Sequence, residues 1–202
     1  RNWNRTYEMV PDEIKGGVLL LHGLSDSPYS LRRLAEILYQ RGFYVLALRL
    51  PGHGTIPAAL TEVRWEDWRA ASRIGAEHVR KRIGSAPPFF VAGFSNGGAL
   101  AVTYALDAMV DEDLPEPEQL LLFSPEIGIS PFASIANSQK LLSFIPYFAK
   151  FKWLSIQPEY DPFKYNSFPK NAAQEAWELT DFLDKRVTAA HSAGLLKTFP
   201  GV

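Results

Sequence analysis

The sequence contains no cysteine among its 202 residues. Disulfides, thiolate metal sites and a cysteine nucleophile are therefore excluded. The sequence also lacks any apolar run that approaches the roughly 20 residues of a membrane-spanning helix. Its formal net charge of −1 gives no electrostatic reason to expect binding to nucleic acid or to an anionic membrane. The length suits one domain with a sizeable core, or one domain with an insertion.

The first residue is Arg1 rather than methionine. This first residue is compatible with a cytoplasmic protein, which is the default. It is equally compatible with a protein from which an N-terminal signal or anchor has been removed. The sequence therefore leaves the compartment open, and it carries no signal for an oligomeric state.

Buried strands alternate with amphipathic helices over the first 123 residues. Apolar runs of strand length occur at Val18–Leu21, Phe43–Leu48, Phe89–Ala92 and Leu120–Phe123. Apolar residues at helical spacing occur over 31–38 and over Trp65–Ile83. Strands and helices that alternate in this way imply right-handed crossovers and a mostly parallel sheet. The sequence predicts an α/β fold with helices on both faces of the sheet and an edge strand within residues 1–14.

The composition changes after Pro125. Residues 126–170 hold ten aromatic residues and show short helical stretches at best, with no parallel-strand pattern. One more helix is predicted over 171–190. A surface so rich in aromatic side chains suits an apolar acyl chain better than a charged substrate, although ordinary packing explains any single aromatic residue equally well.

The stretch from Gly93 to Gly97 is the one with a chemical signature. It follows an apolar strand, precedes an Ala-rich helical segment and fits the pattern G-x-S-x-G, the nucleophile elbow. Glycines two residues before and after Ser95 allow a tight turn and a close approach of helix to strand. The alternative is that Ser95 is an ordinary helix-capping serine.

Two further loops make the interpretation of G-x-S-x-G as a nucleophile elbow more specific. His22 and Gly23 follow the first buried strand, and a P-G-H-G loop at 51–54 follows the second. Together with the elbow, they make residues 17–125 resemble the α/β-hydrolase family, and within it the small carboxylesterases and monoacylglycerol lipases. The resemblance implies a serine hydrolase that cleaves carboxylic esters through an acyl-enzyme. It implies no metal and no organic cofactor.

The resemblance also assigns roles to individual residues. Ser95 is the expected nucleophile, and the main-chain N–H groups of Leu24 and Asn96 are the expected oxyanion-hole donors. Gly93, Gly97, His22 and Gly23 support the elbow and the oxyanion loop, and His53 of the P-G-H-G loop is expected to be structural. The family places its lid after Pro125. We therefore divide the chain into a core (1–125), a lid or cap (126–190) and a return toward the core (191–202).

The catalytic acid and base are harder to find. In this family they follow the nucleophile in the order acid, then histidine, and His191 is the only histidine after Ser95. No strand pattern precedes it. One explanation is that the chain is a fragment, with the acid, the base and the last two strands beyond Val202. The other is an unusual site that uses Glu126 as acid and His191 as base. The sequence favours the first, because a parallel sheet with an unpaired hydrophobic edge is a liability.

The expected partner is a small-molecule ester, including lipid-like esters. An aminopeptidase or amidase on the same fold is the alternative within enzymes, since amides use the same nucleophile and oxyanion hole. A non-catalytic binding protein on this fold is the alternative outside them.

Overall fold

A computed structural model describes residues 3–128 and 152–202. Its main sheet has five strands in the order β1-β3-β2-β4-β5. All neighbouring strands are parallel except β1, which is an antiparallel edge strand. The predicted, mostly parallel sheet is therefore confirmed, as is the N-terminal edge strand. The strands are β1 (Tyr7–Met9), β2 (Gly16–Leu21), β3 (Phe43–Leu48), β4 (Phe89–Phe94) and β5 (Gln119–Phe123).

Helices cover both faces of the sheet. Helix α1 (Arg32–Gln40) packs through Ala35 on the face that carries Val18 and Leu20 of β2. Helices α2 (Trp65–Ile83) and α3 (Asn96–Ala108) pack on the opposite face, which carries Leu19 and Leu21. Because successive side chains of a strand point to opposite faces, a strand covered on both sides must be apolar throughout. Every residue of β2 is accordingly buried.

The carboxyl ends of the parallel strands lie at one edge of the sheet. His22 follows β2, Arg49 follows β3, Ser95 follows β4 and Ser124 follows β5. In open α/β sheets, this edge is where ligands bind. The fold therefore brings the H-G loop, the P-G-H-G loop and the elbow to the same edge.

The second half of the chain adds a small hairpin and a long helix. Strands β6 (Trp153–Ser155) and β7 (Phe168–Pro169) pair antiparallel, apart from the main sheet. Helix α4 (Lys170–Ser192) follows, and its buried Leu179 and Leu183 belong to the same core cluster as α2 and α3. Part of the expected lid, residues 129–151, lies outside the described residues, so the division into core, lid and return stays a prediction.

The last residues return to β5, the strand at the lateral edge of the main sheet. After a single 3-10 turn at Leu195–Thr198, Gly201 forms a parallel bridge with Gln119 of β5. The Leu120 N–H donates to the Gly201 carbonyl oxygen at 2.8 Å. The end of the predicted return (191–202) thus begins to pair with β5. Among the described residues, no helix is both long enough and apolar enough to cross a membrane.

Candidate active site

Ser95 sits on a strained turn between β4 and α3. Its backbone has φ 52° and ψ −119°, a conformation that costs a residue with a side chain about 1–3 kcal/mol and persists only where the surroundings enforce it. Here the end of β5 enforces it. The Ser95 N–H donates to the Phe123 carbonyl oxygen at 3.0 Å, and the Ser95 carbonyl oxygen accepts from the Glu126 N–H at 3.0 Å. The turn is therefore held by the neighbouring strand on both sides of the Ser95 α-carbon.

Gly93 and Gly97 must be glycines, because a β-carbon at either position would clash with main chain. A β-carbon on Gly97 would lie 2.1 Å from the carbonyl oxygen of Leu21, at the end of β2. One on Gly93 would lie 2.1 Å from the carbonyl oxygen of Gly97 itself. Both contacts are with main chain, which cannot rotate away. Only glycines let the start of α3 approach β2 and β4 this closely.

The Ser95 hydroxyl is not used to cap the helix. Ser95 directly precedes the first residue of α3, yet its side chain makes no capping hydrogen bond. It forms no hydrogen bond to any described residue, and the residue is only partly buried. The capping explanation therefore fails for this serine. A hydroxyl held on a strained turn with no structural task is the arrangement expected of a nucleophile.

The H-G loop contains a β-turn, and three of its carbonyl oxygens are occupied. The Asp26 N–H donates to the Gly23 carbonyl oxygen at 3.1 Å and closes the turn. The Leu24 carbonyl oxygen lies 2.7 Å from Nε2 of His53, and the Ser25 carbonyl oxygen accepts from the Tyr165 N–H at 2.8 Å. The Leu24 N–H, by contrast, donates to no described residue. It is free to donate to a ligand, and its role in an oxyanion hole stays a prediction.

His22 contacts main chain through both of its ring nitrogens. It is fully buried, its Nδ1 donates to the Gly23 carbonyl oxygen at 2.9 Å, and its Nε2 accepts from the Leu50 N–H at 3.1 Å. These two bonds fix the neutral ring in one tautomer and tie the loop after β2 to the loop after β3. Burial, helped by the nearby ring of His53, lowers the pKa of His22 well below its ordinary value. With both nitrogens occupied, His22 cannot take a proton from Ser95.

His53 and His78 are occupied as well. Both ring nitrogens of His53 face carbonyl oxygens, those of Pro51 at 2.9 Å and Leu24 at 2.7 Å. Burial lowers the pKa of His53. His78 lies on α2 and pairs through Nε2 with Glu8 at 2.9 Å, so it is engaged with β1 rather than simply solvated.

His191 lies far from the elbow. It is exposed in the last turn of α4, one and a half turns after Arg186, which donates to the Leu106 carbonyl oxygen near the end of α3. Ser95 is at the opposite end of that 13-residue helix, which is about 20 Å long at 1.5 Å per residue. The structure therefore brings His191 close to the wrong end of α3 for it to act as the base.

Glu126, the other weak candidate, lies beside the elbow. Its main chain contacts Ser95, while its Oε2 atom is buried and makes no hydrogen bond. Burial raises the pKa of this carboxyl group. No described histidine contacts it, so nothing pairs it with a base. Among the described residues, no group of three or more His, Asp and Glu side chains could hold a metal ion.

Tyr165, a residue that the sequence did not indicate, also lies at this edge of the sheet. Tyr165, from the segment after β6, contacts both the H-G loop and the P-G-H-G loop. No sequence pattern marks it, because it is one aromatic residue among many in an aromatic-rich segment.

Curated relatives match part of this chain. A thermostable monoacylglycerol lipase of Bacillus sp. (strain H-257) is 37% identical over 89 residues, which are 44% of this chain and 34% of the relative. A carboxylesterase of Bacillus subtilis (strain 168) is 27% identical over 133 residues, 64% of this chain and 53% of the relative. The matched part of this chain thus spans between a third and about half of the length of these relatives.

Solved structures show the same fold over most of the chain. The structure reported for the metagenome-derived lipolytic enzymes LipS and LipT matches 91% of this chain and 71% of its own, with a TM-score of 0.71 and 23% identity. A monoacylglycerol lipase of Paleococcus ferrophilus matches 90% of this chain and 71% of its own, with a TM-score of 0.60 and 20% identity.

The family model for α/β hydrolases matches residues 18–199, a span that includes the H-G loop, the P-G-H-G loop and the elbow. The chain belongs to the α/β-hydrolase family.

Proposed function

We propose that the protein is a serine hydrolase that cleaves carboxylic esters through an acyl-enzyme. One observation carries the proposal: the Ser95 hydroxyl is held on a strained turn without a structural partner among the described residues. It stands at the edge of the sheet where the main-chain N–H groups of Leu24 and Asn96 also lie, and neither of these groups donates to a described residue. Asn96 is the first residue of α3, so its N–H has no partner within the helix.

The reaction follows from this arrangement. The Ser95 oxygen attacks the ester carbonyl carbon and loses its proton to a base, and the carbonyl oxygen becomes an oxyanion. The N–H groups of Leu24 and Asn96 would donate to that oxyanion; removing one such donor typically costs about 3 kcal/mol of transition-state stabilisation. Collapse of the intermediate breaks the bond to the alcohol, which leaves with a proton. Water then attacks the acyl-enzyme, releases the carboxylic acid and restores Ser95.

The base for the first step is unassigned. His22, His53 and His78 are occupied by other contacts, and His191 lies at the far end of α3. Glu126 is a carboxyl group beside the elbow and stays a candidate acid. The expectation of an acid and a histidine on further strands stays a prediction.

The substrate class rests on the relatives and on composition. One curated relative is named a monoacylglycerol lipase and another a carboxylesterase. We propose short to medium acyl esters or monoacylglycerol-like esters as substrates. The expected acyl pocket falls on the aromatic residues of 126–170, and residues 129–151 of that range lie outside the described residues. No nucleic acid partner enters the proposal.

A fluorophosphonate probe that labels serine hydrolases tests the nucleophile. We expect the full-length protein to be labelled, Ser95→Ala to abolish labelling, and Ser85→Ala, an exposed serine after α2, to leave it intact. Labelling that survives Ser95→Ala, or an unlabelled wild-type protein, would refute the proposal.

A substrate series tests the reaction class. Hydrolysis of 4-nitrophenyl esters should rise with acyl length from two carbons toward medium chains if the acyl pocket is apolar. Hydrolysis of amides alone would instead establish the aminopeptidase or amidase alternative.

A further inference from the structure

Tyr165 connects the two loops that flank the elbow. Its main-chain N–H donates to the Ser25 carbonyl oxygen of the H-G loop at 2.8 Å. Its hydroxyl group donates to the Gly52 carbonyl oxygen at 3.1 Å and accepts from the Thr55 N–H at 3.0 Å. One residue thus makes three hydrogen bonds to main chain more than a hundred positions away.

The ring of Tyr165 also packs against His53. The two rings are nearly parallel, at an interplanar angle of 11° and a centroid distance of 6.3 Å. His53 in turn contacts the carbonyl oxygen of Leu24, whose N–H is the proposed oxyanion donor. A hydrogen-bonded and stacked path therefore runs from Tyr165 through His53 to Leu24.

The residues just before Tyr165 lie along the same loop. Phe163 stacks on Tyr29 at a centroid distance of 3.6 Å and 11° between ring planes. Lys164 lies 3.9 Å from Asp26, the residue whose N–H closes the H-G turn. Lys164 and Tyr165 therefore contact the H-G loop, and Phe163 contacts the 3-10 turn that follows it, Pro28–Leu31.

We propose that Tyr165 is a positioning residue for the oxyanion hole. It fixes the H-G loop against the P-G-H-G loop, so that the Leu24 N–H points to the place where the oxyanion forms. This role rests on the proposed hydrolase function. Tyr165 itself touches neither the reacting atoms nor Ser95 in this arrangement. Its effect is therefore on the transition state, through the orientation of a donor, because small misplacements of catalytic groups are costly.

Tyr165→Phe tests the role, because it removes both hydroxyl hydrogen bonds and keeps the ring and the N–H. We expect kcat/KM for 4-nitrophenyl butyrate to fall about tenfold. The Ki of an alkyl trifluoromethyl ketone, whose serine adduct carries an oxyanion, should rise by the same factor. Binding of the matching methyl ketone should change less than twofold. The matched control is Tyr160→Phe, at an exposed tyrosine of the same segment, which should behave as wild type.

A purely structural role would give a different result. Tyr165→Phe would then lower Tm while kcat/KM of the folded protein and the trifluoromethyl ketone Ki stayed at wild-type values, and that outcome overturns the proposal. A wild-type protein without hydrolysis or labelling overturns the proposed function and this role together. A wild-type protein that is active, with Tyr165→Phe indistinguishable from Tyr160→Phe, overturns only the role of Tyr165.

A second pair of variants applies if Tyr165→Phe does not fold. His53→Gln keeps an N–H group that can donate to the Leu24 carbonyl oxygen, whereas His53→Leu does not. We expect the glutamine variant to retain at least about fivefold more kcat/KM, titrated per phosphonate-reactive site, than the leucine variant. Equal activities of the two variants would overturn the proposal.

Discussion

The main-chain N–H of Glu126 donates a hydrogen bond of 3.0 Å to the carbonyl oxygen of Ser95. The residue that ends the turn after β5 therefore fixes the turn after β4. The Glu126 side chain has a different environment, since its Oε2 atom is buried without a hydrogen bond. Glu126 thus supports the elbow through its main chain, whatever its carboxyl group does.

Glu126→Gln separates these two roles. The main-chain bond to Ser95 remains in this variant, and no described histidine depends on the carboxylate, so we expect kcat to stay within about tenfold of wild type. Replacement of a triad acid by its amide typically lowers kcat by about 10⁴. Steady-state kinetics on a 4-nitrophenyl ester measures the difference, and a loss near that size would identify Glu126 as the acid.

Gly97→Ala should destabilise the fold. Its β-carbon would lie 2.1 Å from the Leu21 carbonyl oxygen, so α3 or β2 must shift, at a cost of about 3 kcal/mol. Urea unfolding followed by circular dichroism measures this. Gly201→Ala is the control, because its β-carbon would meet nothing closer than 3.4 Å and its stability should match wild type. Equal stabilities of the two variants would contradict the packing described for the elbow.

Acid should weaken the fold through His22. Burial, which disfavours the charged ring, holds its folded-state pKa below the ordinary value of 6.5, and a second ring proton would also face the Leu50 N–H. The unfolded chain therefore binds more protons than the folded one below about pH 6.5. The contribution of His22 to stability is fully present above that pH and is lost as the pH falls below it.

The measurement is the free energy of unfolding of wild type and His22→Asn between pH 5 and 8. We expect the wild type to lose stability below about pH 6.5 more steeply than the variant, by at most about 1.4 kcal/mol per pH unit. Comparison with the variant removes the opposite contributions of Asp26 and Glu126, whose pKa values are raised by burial. His191→Gln, at an exposed position, is the control. Parallel pH curves for wild type and His22→Asn would refute this prediction.

Asp107 fixes α3 to its neighbouring helices. The carboxylate is almost fully buried and accepts two hydrogen bonds of 2.7 Å from Arg69 of α2, with Arg186 of α4 at 3.5 Å. Asp107→Asn leaves two guanidinium groups without their anion, so we expect the free energy of unfolding to fall by about 3 kcal/mol.

Thermal and urea unfolding measure that loss. The control is Glu36→Gln, which breaks the pair with Arg33 on α1, where the arginine is largely exposed, and which should cost less than about 1 kcal/mol. If Asp107→Asn costs no more than the control, Asp107 does not hold the three helices together.

Local patterns predicted the core elements well. The bounds predicted for the second strand and the second helix, Phe43–Leu48 and Trp65–Ile83, are those of β3 and α2. Both elements carry a periodic apolar pattern between clear breakers, and burial on the predicted faces follows directly from that pattern. The tight turn at Ser95 was also predictable, because glycines two residues before and after a serine indicate that the backbone has no room for side chains there.

Contacts between distant segments were not predictable in this way. Three findings depend on which loops meet in the folded chain. The ring nitrogens of His22 and His53 are occupied, and His191 lies at the far end of α3. Tyr165 forms hydrogen bonds with Gly52 and Thr55. A histidine or tyrosine has the same appearance in a sequence whether its ring is free or bound to main chain.

The sequence by itself determined the α/β layers, the tight turn at Ser95 and the loop after β2, because each depends on local spacing and on the size of nearby residues. Only the tertiary structure decided that the Ser95 hydroxyl has no capping role, that the nearby histidines are occupied, and that Tyr165 joins the loops beside Leu24. These facts depend on hydrogen bonds between segments, some of which lie more than a hundred positions apart. Such bonds depend on which strand ends the sheet topology brings together, and no local sequence pattern predicts this.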